Sequence, residues 1–74
     1  PAAAPARDDA PALSDRERQV AELVVDGMTY KQVGDRLFIS AKTVEHHMAR
    51  MRQRLGATSR ADLLAQLRTL LGRD

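Results

Sequence analysis

Apolar residues fall along this chain in four clusters at helical spacing. Each cluster is preceded by a hydroxyl-bearing residue, and glycine closes the first, third and fourth. Ser14-Asp15-Arg16-Glu17 has the form of a capping box, in which the Ser14 hydroxyl accepts the third helical amide and Glu17 reaches back to the Ser14 amide. Val20, Leu23 and Val24 follow at intervals of three and one, and Gly27 supplies a left-handed stop, which predicts a helix over 15–26. Thr29-Tyr30-Lys31-Gln32 repeats the box with Gln in third place. Val33 and Leu37 follow one turn apart, predicting a helix over 30–37 whose apolar surface Phe38 and Ile39 continue. Between Ser40 and Gly56, Val44, Met48, Met51 and Leu55 form one narrow stripe, predicting a helix over 41–55. Ser59-Arg60-Ala61-Asp62 resembles a third box, with Asp in place of Glu. Leu63, Leu64, Leu67, Leu70 and Leu71 then form a broad apolar face that ends at Gly72, predicting a helix over 60–71. Neither β-alternation nor an internal repeat is present, so the expected fold is all-α, with four helices.

Residues 1–12 hold all three prolines and show no helical period, which reads as a disordered Pro/Ala linker ahead of a folded domain over 13–72. The first residue is Pro1 rather than Met, and the expectation is the C-terminal piece of a longer regulator whose N-terminal part senses a signal. A chain of 74 residues makes one small domain, burying only about 60% of its unfolded surface, with little room for an enclosed substrate pocket. There is no Cys, which excludes a disulfide framework, a thiolate zinc site and a cysteine nucleophile. One Tyr, one Phe and no Trp provide no platform for stacking single-stranded bases. No apolar run reaches the ~18 residues of a membrane span, so a soluble, cytoplasmic protein without a membrane partner or a cofactor is expected.

The net charge is only +2, but its distribution is uneven. Residues 40–56 carry Lys42, Arg50, Arg52 and Arg54 against Glu45 alone, whereas residues 13–39 are slightly acidic. A cationic third helix suits an element lying against a polyanion, with affinity that falls steeply with salt. Only Phe38, Ile39 and Ser40 separate the second and third helices, which forces the sharp crossing of a helix–turn–helix. Gly34 inside the second helix costs roughly 1 kcal/mol relative to Ala, and is explained if the third helix crosses too closely for a Cβ. With the Val44–Met48–Met51–Leu55 stripe turned inward, the outer face presents Lys42, Glu45, His46, Ala49 and Gln53. Such a helix fits the major groove of duplex DNA. Ala49 permits close approach and a thymine-methyl contact, Glu45 can accept from a cytosine amine, and His46 can donate to guanine or to phosphate. The helix start at Ser40 offers backbone amides to a phosphate, Lys31 and Lys42 flank the groove, and Arg50 and Arg54 are read as a phosphate clamp.

The segments Leu13-Ser14-Asp15-Arg16-Glu17, Tyr30 through His47, Arg54-Leu55-Gly56 and Ser59-Arg60-Ala61-Asp62-Leu63, with Gly27 between the first two, closely resemble the LuxR-type (NarL/FixJ/GerE-like) DNA-binding domain. The resemblance covers about 13–71. It implies a four-helix domain of a transcription regulator whose third helix enters the major groove. The base-reading positions fall on Glu45, His46 and Ala49, and the phosphate-binding positions on or near Lys31, Lys42, Thr43 and Arg50. Many members carry Lys where Glu45 stands. The resemblance also implies a homodimer on DNA formed largely through the fourth helix. The surplus of leucines there assigns Leu63, Leu67, Leu70 and Leu71 to that interface.

Other readings are weaker. Adjacent His46 and His47 point about 100° apart on a helix and lack an i, i+4 partner, so they cannot share a metal ion. His47 is expected half-buried beside the apolar stripe. Ser14, Ser40 and Ser59 precede helices with no base nearby, so capping explains them and no enzyme is expected. Met48 and Met51 lie on the core stripe, and with Met28 they read as core filling rather than an adaptable partner groove. The alternatives to a transcription-regulator domain are a promoter-reading sigma-factor-like domain and a helical protein–protein module without a nucleic-acid role. An appended fourth helix argues against the former.

Overall fold

The computed structural model describes residues 13–73, so the linker expected over 1–12 lies outside the described residues. Four α-helices follow in order: α1 (Asp15–Val25), α2 (Tyr30–Leu37), α3 (Ala41–Leu55) and α4 (Arg60–Leu70). No strand occurs among the described residues. The all-α, four-helix expectation holds. Asp26 and Leu71, expected inside their helices, are instead the C-caps of α1 and α4.

The helix starts are fixed by side chains close in sequence. Ser14 Oγ accepts from the Glu17 amide at 3.2 Å, and Glu17 Oε1 accepts from the Ser14 amide at 3.0 Å. Thr29 and Gln32 repeat this reciprocity at 3.1 and 2.9 Å. At α4 only half of the expected box forms. Ser59 Oγ accepts from the Asp62 amide, but the Asp62 carboxylate reaches past Ser59 to the Thr58 amide at 2.9 Å. Aspartate is one methylene shorter than glutamate, and here it closes a wider loop onto the preceding residue.

The core joins Val20, Ala21 and Val24 of α1, Val33 of α2, Val44, Met48 and Met51 of α3, and Leu63 and Leu67 of α4. α1 and α3 each pack against all the other helices, so their inner faces form the centre of the domain. Leu55, at the far end of that stripe, is half-buried against the cluster, as is Met28. Burying a side chain of this size contributes about 1.5–3 kcal/mol.

Two expectations are corrected. Leu63 is 3% exposed and Leu67 fully buried, so neither can form an interface with a second chain. They are the residues through which α4 attaches to its own domain. Leu71 is half-buried against the same core, and Leu70 is half-buried without belonging to it. Phe38 does not continue the apolar surface either: it is 93% exposed. It occupies the C-cap of α2 in the left-handed conformation, φ 61° and ψ 41°, which swings its side chain off the helix face. Among the described residues it alone has positive φ without being glycine.

Candidate nucleic-acid interface

The turn between α2 and α3 positions the outer face of α3. The Phe38 and Ile39 amides both donate to the Gly34 carbonyl, the latter at 2.9 Å, folding the chain back against α2. Gly34 is buried, and a Cβ there would run into the Ile39 carbonyl oxygen and stand 3.2 Å from the Ser40 carbonyl carbon. The expected close approach is real, and its source is the backbone of the turn rather than the body of α3. Ile39 and Leu37 are half-buried against the core and pin the turn from beneath.

Ser40 caps α3. Its Oγ accepts from the Thr43 amide at 3.0 Å and lies 3.0 Å from Thr43 Oγ1. Lys42, Thr43, Glu45, His46, Ala49, Arg50 and Gln53 are all exposed, and His47 is half-buried. Several of them line shallow depressions that meet at Ala49, and two of these bear on the outer face. One is lined by Thr43, His46, His47 and Arg50. The other is lined by Glu45 and Arg52 of α3 together with Tyr30 and Arg60 from the first turns of α2 and α4. Tyr30 borders the second depression, which brings the start of α2 to the edge of the same face.

The electrostatics favour an anion. Among the described residues neither Lys42 nor Arg50 has a carboxylate within 4.0 Å; the ion pairs are Lys31–Asp35, Arg54–Glu17 and Arg73–Asp26. The Lys31–Asp35 pair is an exposed contact of 3.4 Å between residues four apart. Such a pair is worth about 0.3–0.5 kcal/mol and yields readily to a phosphate. Thr43, His46, Ala49 and Arg50 thus share one depression and Glu45 and Ala49 the neighbouring one, whereas Arg54 is engaged elsewhere.

Nη1 and Nη2 of Arg54 donate to the two carboxylate oxygens of Glu17, each at 2.9 Å. The guanidinium read as half of a phosphate clamp instead ties α3 to α1. The physical reason is Glu17, whose side chain is only 5% exposed and needs a cation if it is to stay charged. Burial pushes the Glu17 carboxyl up, but the Ser14 amide and the Arg54 guanidinium together outweigh it, so the group titrates below the ordinary carboxylate value. The signal for this pair was partly present, since Glu17 stands three, four and seven residues before Val20, Ala21 and Val24, on the buried stripe. Nothing local identifies which of Arg50, Arg52 and Arg54 on α3 would answer it. A second feature that sequence reasoning missed is the contact of Arg60 with Tyr30, 30 positions apart.

Among the described residues, no group of three or more His, Asp or Glu is arranged to hold a metal ion, and no helix is long and apolar enough to cross a membrane. The family described as "Bacterial regulatory proteins, luxR family" matches residues 11–66. Spore germination protein GerE of Bacillus subtilis is 42% identical over 57 residues, covering 77% of each chain. DNA-binding transcriptional activator DevR/DosR of Mycobacterium tuberculosis is 38% identical over 58 residues, 78% of this chain and 27% of the relative. Transcriptional regulatory protein UhpA of Escherichia coli is 38% identical over 55 residues, 74% of this chain and 28% of the relative. The chain thus spans most of the first relative but little more than a quarter of the other two.

Proposed function

The chain belongs to the luxR family of bacterial regulatory proteins, a family of DNA-binding transcription regulators and not of enzymes, and from that premise we propose that it binds duplex DNA sequence-specifically through α3. In this reading residues 13–72 are the C-terminal output domain of a longer cytoplasmic regulator. α3 lies in the major groove with Glu45, His46, Ala49 and Gln53 toward base edges. Lys31, Lys42, Thr43 and Arg50, with the backbone at Ser40, meet phosphates on either side. Glu45 bears on sequence preference, because a carboxylate next to DNA is tolerated where it accepts from a cytosine amine.

The observation that carries the proposal is the division of α3 into two faces. Val44, Met48 and Met51 are sealed in the core, while the opposite side exposes a small residue, Ala49, between cations that no carboxylate neutralises. On two-fold-related half-sites about one helical turn apart, two copies would meet through α4. With Leu63 and Leu67 committed to the core, the available side of α4 is that of exposed Ala61, Ala65 and Arg68, bordered by half-buried Leu64.

A fluorescence-anisotropy titration of the chain against duplexes enriched from a random pool, at several salt concentrations, tests the reading. Binding should weaken with salt, and Arg50→Gln should weaken binding to all duplexes and flatten the dependence by about one phosphate contact. Glu45→Ala or His46→Ala should change which duplexes are preferred more than how tightly duplexes are bound overall. A helical protein–protein module would show neither binding nor a salt slope.

A further inference from the structure

We propose that Arg60, held in place by the Tyr30 hydroxyl, is a phosphate-binding residue that carries the DNA interface beyond α2 and α3 onto the first turn of α4. This rests on the reading of α3 as the DNA-facing helix. Arg60 opens α4 and is exposed. Its Nη1 donates to Tyr30 Oη at 2.9 Å, and its Cζ stands 5.5 Å from the centre of the Tyr30 ring. No carboxylate lies within 4.0 Å of it among the described residues. The depression it lines is the one bordered by Glu45 and Ala49, two of the residues assigned to base edges.

The choice of partner is what points to a ligand. Fixing an arginine side chain sacrifices rotamer freedom, and an exposed hydrogen bond to a neutral hydroxyl with a contact to the ring returns only part of it. A carboxylate would anchor the guanidinium more firmly but would cancel its charge. Tyrosine holds it and leaves the charge whole. A guanidinium has five N–H donors, so engaging Tyr30 leaves a fork free for two oxygens of one phosphate. The location adds a reason for a cation. Glu45 places a negative charge on the same depression, which would repel the phosphates flanking an inserted α3 unless positive charge stands beside it. Arg60 and Arg52 line that side.

The test compares the chain with Arg60→Gln, Tyr30→Phe and the double variant, on a duplex selected by the unaltered chain, by anisotropy across a salt series, with helix content and melting followed by circular dichroism. Arg60→Gln should weaken binding about three- to tenfold on every duplex and lower the salt slope by about one. Tyr30→Phe keeps the ring and removes only the hydroxyl. It should weaken binding about twofold in the unaltered background and not at all beside Arg60→Gln, because its effect passes through that guanidinium. Melting that falls while affinity and slope stay unchanged would make Arg60 a tie between helices and overturn the proposal. So would a Tyr30→Phe effect that is the same in both backgrounds. Failure of the unaltered chain to bind any duplex would strike instead at the DNA reading beneath it.

Discussion

Arg54→Met removes the cation from a carboxylate that the fold has buried. Glu17 Oε1 would keep the Ser14 amide, but Oε2 would lose its charged donor in a side chain only 5% exposed. Breaking one side of a fully buried pair costs about 3–5 kcal/mol. The Arg54 side chain is 44% exposed, so water already screens part of the interaction, and about 2 kcal/mol is the appropriate scale. In a domain of this size that is a drop in Tm of roughly 8–16 °C. Thermal unfolding followed by circular dichroism at neutral pH measures it. The pH dependence identifies its source. Because Glu17 titrates below its ordinary value of 4.5 in the folded chain, its contribution is fully present above that value and is lost as the pH falls through the lowered one. In Arg54→Met burial is opposed only by Ser14, so Glu17 takes up a proton more readily and no longer needs a cation. The gap in Tm between the two proteins should therefore close as the pH drops below the carboxylate range. An Arg54→Met variant that melts with the parent, or a gap that stays constant into acid, would refute the structural role. A salt slope reduced by one with unchanged melting would restore Arg54 to a phosphate.

Three further outcomes follow from the fold. Gly34→Ala gains about 1 kcal/mol of helix propensity but drives a methyl into the Ile39 carbonyl, and should destabilise the chain by about 1–3 kcal/mol in denaturant titration. Phe38→Gly relieves a left-handed residue whose side chain is 93% exposed, and should raise Tm by several degrees in the same thermal assay, since about 1 kcal/mol of strain is removed and almost no packing. Leu67→Glu should abolish folded helix content, whereas Ala65→Glu should preserve it and shift sedimentation on DNA from two copies toward one. Equal loss of structure in both would contradict the assignment of α4's two sides.

The starts of α1, α2 and α3 were legible because a capping residue and its partner lie within four positions of one another, and so was the stripe of α3, because one narrow row can face only one way. The fourth helix was legible in its start at Arg60 but not in which side it turns inward. Five leucines among nine positions supply apolar surface on most of its circumference, and composition alone cannot tell which of Leu63, Leu64, Leu67 and Leu70 turns inward. The packing of α1 and α3 against it decides that. Phe38 misled for a related reason: hydrophobicity argues for burial, while the turn needs a left-handed residue there whatever its side chain. Arg54 and Arg60 were legible as charges but not as partners. Glu17 and Tyr30 lie 37 and 30 positions away, and only the tertiary fold brings each pair together.

The most direct measurement of the central claim is an amide correlation spectrum of the isotopically labelled chain titrated with a selected duplex. The largest shifts are predicted for Thr43, His46, Ala49 and Arg50, with smaller ones at Lys31 and Arg60 and little change along α1. Perturbations confined to α1 or to the Ala61–Ala65 side of α4, with α3 silent, would contradict it.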